Sequence, residues 1–289
     1  MGFSIKELET ISGIKAHTIR IWEQRYHFLK PSRTATNIRT YSNEELKTLL
    51  TVALLNRYGY KISRIDEMPP DQRHEAVLRL GNAEARNEFL VNELIGCMVD
   101  LRSLDFETIL NNYIREEGLE RTITTLVFQF LEKVGILWQT DRVNPAQEHI
   151  VSNIIRQKII CGIEHLPMPQ QTDPLFLLFL PEGEFHEMGL LFVYYLLKKK
   201  SVPVIYLGAN VPGKDIDYIM EIKKPRYLYM HLTTLPKQVK FERLLQQAAE
   251  YDSTTILSGF LAEEYRKPLA DNILFLKSLP EVMQYIDAV

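Results

Sequence analysis

The sequence has few cysteines, no apolar run long enough for a membrane span and no export signal. The two cysteines among 289 residues, Cys97 and Cys161, form no disulfide or metal-binding spacing, which is typical of proteins in a reducing compartment. The run LLFVYYLL is about half of the ~20 residues that a transmembrane helix requires. The N-terminal MGFSIKELE lacks the charged-then-apolar pattern of a leader. We therefore expect a cytoplasmic protein with no membrane partner.

Catalytic motifs are missing as well. The sequence contains no P-loop and no arrangement of a nucleophile beside a general base, so we do not expect an enzyme. The first 75 residues carry 12 Lys and Arg against 9 Asp and Glu, whereas the whole chain has a net charge of −3. A basic head on an acidic remainder is compatible with a DNA-binding module joined to something else. The length suits two or three domains.

Residues 1–78 are predicted to form a winged helix-turn-helix domain. SIKELETIS begins with Ser4 as N-cap and has Glu7 to complete a capping box, and a glycine separates this helix from KAHTIRIWEQRY. Two short helices across such a turn are typical of helix-turn-helix proteins. LKPSRTATNIRTYS suits a β-hairpin wing. Helices are expected again at NEELKTLLTVALLNRYGY, with Asn43 as cap, and at ISRIDEM, before Pro69-Pro70 stops the run.

The second helix, about residues 15–25, is the predicted recognition helix. A helix in the major groove offers residues near its N-terminus to base edges and basic groups to phosphates. Trp22 is interpreted as a core residue, and pairing of Arg20 and Arg25 with Glu23 is the alternative to DNA contact. The expected DNA-binding residues of helix and wing are Lys15, His17, Thr18, Arg20, Arg25, Arg33, Arg39 and Tyr41.

Two further domains are predicted after the head. Residues 79–168 place apolar residues at three- and four-residue spacing over four segments, which predicts a four-helix bundle. Residues 172–289 alternate short apolar runs with helical stretches, which predicts a multi-domain α and α/β protein ending in a parallel sheet with helices on both faces. The strands are expected at LFLLFLP, VPVIYLG, RYLYMHL, TTILSG and NILFLK. Ligands of such sheets bind beyond the carboxyl ends of the strands, where EGEFHEMG follows the first one.

The head resembles the MerR family of winged-helix regulators over about the first 70 residues. The resemblance rests on SIKELETISGIKAHTIRIWEQRY, PSRTATNIRTYSNEEL and LLNRYGYKISRI. It implies a dimeric regulator that binds a palindromic operator in double-stranded DNA. The cysteines of the MerR-type metal sensors are missing, so metal sensing is not expected.

The motif from Glu184 to Gly189, EFHEMG, resembles the signature of cobalamin-binding domains, which have a Rossmann-like (flavodoxin-like) α/β fold. The resemblance implies that His186 is the lower ligand of cobalt and displaces the cofactor's own dimethylbenzimidazole base, whose nucleotide tail threads into the α/β domain. Neutral imidazole suits a cobalt centre, and a carboxylate two residues away can orient the ring. By the same resemblance Gly189 lets the backbone approach the tail closely.

Two more signatures of that family are matched in part. HLTTLP aligns Thr233 and Leu235 with a third-strand Ser-x-Leu, and ILSGF aligns Ser258 and Gly259 with a fourth-strand Gly-Gly. A serine in place of the first glycine adds a side chain where the nucleotide tail should pass.

The helical region resembles the cap of light-sensing cobalamin regulators of the CarH/LitR type. Trp138 is followed after nine residues by Glu148 and His149, and in those regulators the three residues cover the upper face and contact the adenosyl group of adenosylcobalamin. Asn144 and Pro145 suit a helix N-cap and first position, which puts Glu148 and His149 in the first turns of a helix. An indole can cover an apolar face while Glu and His hydrogen-bond a ribose or adenine.

Gln139 departs from that resemblance. In the best-known photoreceptors of this type a histidine at this place takes the upper cobalt position after light breaks the cobalt–carbon bond. An amide is a poor cobalt ligand, so the same bis-histidine product is not expected. Four alternatives stay open: His149 substitutes, light only releases the adenosyl group, the protein senses cobalamin itself, or it has lost cofactor binding.

Together these features predict a repressor of transcription. Adenosylcobalamin bound between bundle and α/β domain is expected to favour one homo-oligomer, a dimer of heads or a tetramer, that holds the operator, and light or cofactor loss to favour another. One alternative is a cobalamin-independent MerR-like regulator with a degenerate α/β domain used for protein interaction, which Thr233 and Ser258 favour. The other is a subunit of a cobalamin-dependent methyltransferase, against which the DNA-reading head argues.

Overall fold

The structure is a computed structural model that describes residues 2–138, 143–170, 172–234, 241–259, 265 and 268–289, with Trp138 described by its backbone alone. The chain forms two compact units, residues 1–155 and 156–289. The predicted head and most of the predicted bundle therefore share one unit, and the division between the units falls within the helix Pro145–Glu164.

The head contains five of the described helices and a short antiparallel hairpin. They are α1 (Ile5–Ser12), α2 (Ala16–Arg25), β1 (Ser32–Arg33), β2 (Arg39–Thr40), α3 (Asn43–Arg57), α4 (Ile62–Glu67) and α5 (Pro70–Leu78). The capping box of Ser4 and Glu7 forms as expected, whereas α3 is capped by Ser42 and not by Asn43, because the Ser42 hydroxyl accepts a hydrogen bond from the Glu45 amide. The prolines end α4 but also begin α5, since Pro70 occupies the first turn, where a missing N–H leaves no hydrogen bond unmade.

The helices that follow the head pack directly against it. It comprises α6 (Ala83–Val99), α7 (Ser103–Glu117), α8 (Leu119–Arg121), a π-helical segment (Thr122–Val127), α9 (Phe128–Trp138) and α10 (Pro145–Glu164). Helix α3 of the head packs on α6. Arg57 Nη1 lies 2.7 Å from Glu88 Oε1 of α6, and Lys47 Nζ lies 2.7 Å from Oδ2 of Asp100, the C-cap of α6. No helix within the described ranges is long and apolar enough to cross a membrane.

The second unit is built on a parallel sheet of five described strands in the order β4-β3-β5-β6-β7. The strands are β3 (Phe176–Pro181), β4 (Val204–Val211), β5 (Tyr227–His231), β6 (Thr254–Ser258) and β7 (Ile273–Leu276), and the described helices are α11 (Met188–Lys199), α12 (Gly213–Lys223), α13 (Phe241–Glu250) and α14 (Leu279–Ala288). The predicted α/β architecture is confirmed. A further helical stretch is predicted at EEYRKPLA, residues 263–270; half of these residues lie outside the description, and Tyr265 and residues 268–270 are not helical. Helix α14 was not predicted, although Ser278 caps it through the Glu281 amide.

Burial explains why this segment forms a sheet. All six residues of β3 are buried, as expected for a central strand covered on both faces. The apolar core on one side gathers residues from the strands and from α12 and α13, including Leu177, Phe179, Leu228 and Leu257. The sheet thereby holds the carboxyl ends of β3, β5 and β6 next to one another, and the polar residues of the motif lie at those ends.

Candidate functional site

The loop between β3 and α11 holds His186 through the buried carboxylate of Glu184. Glu184 is 0% exposed, whereas the His186 side chain is 59% exposed, and the His186 Nδ1 lies 2.6 Å from Glu184 Oε1. The same oxygen accepts hydrogen bonds of 2.9 Å from the backbone amides of Phe185 and His186. The carboxylate therefore fixes both the loop backbone and the orientation of the imidazole.

Thr234, beyond the carboxyl end of β5, completes this cluster. Its backbone amide donates to Glu184 Oε2 at 2.6 Å, and its hydroxyl lies 3.3 Å from that oxygen and 3.4 Å from His186 Nδ1. Burial alone raises the pKa of Glu184, but the hydrogen bonds from His186 and Thr234 outweigh it and hold the pKa of this carboxyl below its usual range. Glu184 is therefore ionised at neutral pH, and a carboxylate acceptor favours the imidazole tautomer that carries its proton on Nδ1.

Asn210, near the carboxyl end of β4, fastens the loop from the other side. Its side-chain oxygen accepts a hydrogen bond of 2.8 Å from the backbone amide of Gly183, and the backbone amide of Asn210 donates to the Glu184 carbonyl at 3.0 Å. Asn210 adopts a left-handed backbone conformation with φ 58°, which asparagine tolerates better than most residues. Sequence reasoning missed Asn210 and Thr234; their places at strand ends were the available signal.

A second polar cluster lies at the carboxyl ends of β5 and β6. Tyr229 and His231 are two residues apart and so lie on one face of β5, and both contact the buried Ser258 hydroxyl, at 2.6 Å from Tyr229 OH and 2.9 Å from His231 Nδ1. Burial lowers the pKa of His231 to about 4, so its ring is neutral at pH 7. This cluster was not predicted beyond Ser258 itself.

Both glycines assigned to the cofactor have close neighbours within the protein. A Cβ atom at Gly189 would lie 2.3 Å from His231 Cδ2, and one at Gly259 would lie 2.5 Å from the Leu232 carbonyl oxygen. Gly259 also has φ 94°, a conformation that favours glycine. Close packing within the protein therefore requires glycine at both positions. Thr233 is partly buried beside Thr234, and Leu235 lies outside the described residues.

The residues predicted for the upper face lie in the first unit. Helix α10 begins at Pro145, and the Asn144 side chain caps it by accepting a hydrogen bond of 2.9 Å from the Ala146 amide. Glu148 and His149 follow in its first turns, with His149 Nδ1 at 2.9 Å from Glu148 Oε2 and the His149 side chain 70% exposed. The side chain of Trp138 and all of Gln139 lie outside the description.

The predicted DNA-binding residues divide into two groups. Lys15, His17, Arg20, Arg25 and Arg33 are exposed and Thr18 is partly exposed, and Trp22 is buried against Phe28, as interpreted. In contrast, Arg39 Nε donates to both Glu23 carboxylate oxygens at 2.8 and 3.0 Å, and the buried Tyr41 donates to Glu23 at 3.2 Å. In this structure Arg39 and Tyr41 therefore join the wing to the recognition helix through Glu23.

The donor set at His186 suits a cobalt centre held in a corrin ring. Such a ring already supplies four nitrogens, so the protein needs only one oriented imidazole with a hydrogen-bonded carboxylate behind it. In the described part of the chain, no three His, Cys, Asp or Glu side chains converge as a site for a bare metal ion. The space next to Gly189 fits less well, because the His231 ring already occupies it.

Family models match the head and the helical region of the chain, and neither match extends to the His186 loop. Residues 3–71 match the family model of the MerR HTH family regulatory protein, and residues 90–160 match that of a B12 binding domain. The chain is 27% identical over 279 residues, covering 93% of it and 90% of the relative, to the HTH-type transcriptional repressor CarA of Myxococcus xanthus. It is 24% identical over 241 residues, covering 81% and 80%, to the repressor CarH of the same organism.

Among solved structures, the chain resembles the monomethylamine corrinoid protein of Methanosarcina barkeri. The TM-score is 0.54 at 12% identity, over 70% of this chain and all of the other. This likeness is one of fold. The predicted resemblances to MerR-type regulators and to cobalamin-binding proteins are therefore confirmed, and cobalamin is the cofactor that the second match identifies.

Proposed function

We propose that this protein, a MerR-type helix-turn-helix region joined to a B12 binding domain, is a repressor of transcription that adenosylcobalamin controls through His186. The observation that carries the cofactor assignment is the cluster of Glu184, His186 and Thr234. It presents a single imidazole, 59% exposed, on a carboxylate that is fully buried. Burying a carboxylate is unfavourable unless it is hydrogen-bonded, and here the buried carboxylate orients one exposed imidazole, which is an arrangement suited to ligand binding.

The head supports the DNA-binding half of the proposal. Helix α2 presents Lys15, His17 and Arg20 to solvent at its N-terminal end, where a recognition helix meets base edges. The paired Glu23 and Arg39 hold the wing against that helix, so helix and wing present their exposed arginines as one surface. Contacts from Arg25 and Arg33 to phosphates supply affinity, and contacts from Arg20 and its neighbours supply sequence choice.

His186 would hold the cobalt through Nε2, and Glu184 would keep the imidazole proton on Nδ1 and strengthen the nitrogen donor. Adenosylcobalamin supplies a light-cleavable cobalt–carbon bond when it is bound. Glu148 and His149, already paired at 2.9 Å, are the residues proposed to hydrogen-bond the adenosyl group. Loss of those contacts then shifts the population between two oligomers, of which one holds the operator with paired heads.

The decisive experiment follows cofactor and DNA on the same protein. Purified protein is mixed with adenosylcobalamin in the dark, passed over a desalting column, and its absorbance spectrum and mass in solution are recorded before and after green light. A binding sequence is selected from a random pool of double-stranded DNA and tested in each state. We expect a retained cofactor, a palindromic selected sequence and weaker DNA binding after illumination.

Two variants separate the halves of the proposal. His186→Ala should lose cofactor retention but keep the selected DNA sequence, and Arg20→Ala should keep the cofactor and lose about 1–3 kcal/mol of DNA binding. His165→Ala, directly after the C-terminus of α10, is the matched histidine control. No retained cofactor in the wild type contradicts cobalamin control, whereas retention with no response to light replaces light sensing with sensing of cobalamin itself.

A further inference from the structure

The space beside Gly189 is filled by a side chain of the protein. Gly189 is the second residue of α11, and a Cβ atom placed there would meet three atoms of the His231 ring at 2.3, 2.5 and 2.6 Å. Distances below 3.0 Å are too short for real contacts. The His231 ring of β5 therefore occupies the space that a side chain at position 189 would fill. That space is not open to a ligand.

The His231 ring is held in this place on its opposite edge. Ser258 lies opposite His231 in the β5–β6 register, and its hydroxyl contacts His231 Nδ1 at 2.9 Å and Tyr229 OH at 2.6 Å. Ser258 is 1% exposed and Tyr229 is 1% exposed, so moving the ring removes one of the two hydrogen-bond contacts of a buried hydroxyl. Because the ring is neutral, no charge draws it into solvent.

The backbone around the cluster is equally fixed. Leu232 donates its amide to the Ser258 carbonyl at 2.8 Å, and its own carbonyl closes on Gly259. The ends of β5 and β6 therefore cannot separate to make room beside Gly189 without breaking a strand-end hydrogen bond. Only rotation of the His231 side chain opens that space.

Cobalamin carries a corrin ring and a bulky benzimidazole nucleotide. If His186 binds the cobalt, the displaced nucleotide must lie either in a space within the protein or in solvent. We propose that His231 is a specificity-determining residue that closes the space beside Gly189 to the benzimidazole base, so that the domain binds corrinoids with and without the nucleotide about equally well. The proposal rests on the proposed binding of cobalt by His186. It makes Ser258, which departs from the family glycine, the residue that keeps His231 in the closed position.

The test compares two corrinoids that differ only in the tail. Dissociation constants are measured in the dark by spectral titration for adenosylcobalamin and for adenosylcobinamide, which lacks the nucleotide. We expect the wild type to bind the two within about threefold of each other, because the base gains no buried contact. His231→Ala should bind adenosylcobalamin about tenfold or more tighter than adenosylcobinamide, since burial of an aromatic ring stabilises a complex at least this much.

Ser258→Ala provides a second, smaller change that frees the ring without removing it, and it should raise the same ratio by a lesser amount. His165→Ala should leave the ratio unchanged. A wild type that prefers adenosylcobalamin by about tenfold or more overturns the proposal, and so does a His231→Ala protein, folded by circular dichroism, whose ratio equals that of the wild type. If neither corrinoid binds to any of the proteins, the proposed function fails and this inference fails with it.

Discussion

His186 lies in the loop after β3 and His231 is the last residue of the neighbouring strand β5, yet the protein holds them in opposite ways. The His186 side chain is 59% exposed and its Nδ1 lies 2.6 Å from a buried carboxylate. The His231 ring packs against Gly189, and its Nδ1 lies 2.9 Å from a hydroxyl. A carboxylate acceptor makes an imidazole a stronger donor to a metal, whereas a hydroxyl in a buried cluster keeps it neutral and in place.

A position at a strand end does not by itself assign a role to a histidine. Both residues lie where ligands of parallel sheets bind. Their partners differ: Glu184 accepts hydrogen bonds from the amides of Phe185, His186 and Thr234 and from the His186 ring, and so it orients an exposed imidazole. Ser258 joins Tyr229 and His231 to each other, so it supports packing.

Removal of Glu184 should produce the largest effect. Glu184→Ala leaves the amides of Phe185, His186 and Thr234 without their acceptor in a buried place, and we expect the α/β unit to lose about 3–5 kcal/mol of unfolding free energy. Both tryptophans of the chain lie before residue 139, so hydrogen exchange in β3 and β5 is the suitable measurement. Glu182→Ala, at an exposed position two residues earlier, is the control. Equal protection in both variants would show that Glu184 does not organise the loop.

Gly189→Ala should destabilise the α/β unit by about 3 kcal/mol, because the new methyl group overlaps the His231 ring. In a His231→Ala background the same substitution should have little effect, so the double-mutant cycle should give a coupling energy of about 2 kcal/mol or more. The cycle is read from the same hydrogen-exchange measurement. Additive effects of the two substitutions would contradict the contact between Gly189 and His231.

The stability of the α/β unit should depend on pH through His231. Its pKa of about 4 in the folded state lies below the ~6.5 of an unfolded histidine. The unfolded chain therefore binds more protons in this range, and stability falls as the pH drops from about 6.5 toward 4. By pH 5 the loss should reach about 2 kcal/mol, and His231→Asn should remove it. Glu184 enters only below pH ~4.3, because its folded pKa is lowered.

Much of the architecture was readable from local patterns, because helices, caps and buried strands depend on residues close in sequence. The five strands and the His186 loop are of this kind. Long-range pairs are not: His231 lies 42 residues after Gly189, and no spacing rule indicates that the ring fills the glycine's gap. Likewise Arg39 looked like a phosphate contact until its ion pair with Glu23 was visible. The alignment to Thr233 missed Thr234 by one residue, since the direction of the chain beyond a strand end is not set by the strand's alternation.

The smallest effects are expected from two variants that each remove one hydroxyl, Thr234→Val in the His186 cluster and Ser258→Ala in the His231 cluster. Thr234→Val keeps the backbone amide that donates to Glu184 at 2.6 Å and loses only the hydroxyl contacts at 3.3 and 3.4 Å, so we expect less than about 0.5 kcal/mol of destabilisation. Ser258→Ala removes the shared partner of Tyr229 and His231, both at normal hydrogen-bond lengths, and should lower the unfolding free energy by about 1–2 kcal/mol. Hydrogen exchange in β5 and β6 distinguishes the two. A larger loss for Thr234→Val than for Ser258→Ala would mean that the Thr234 hydroxyl contributes more to stability than its long contacts indicate.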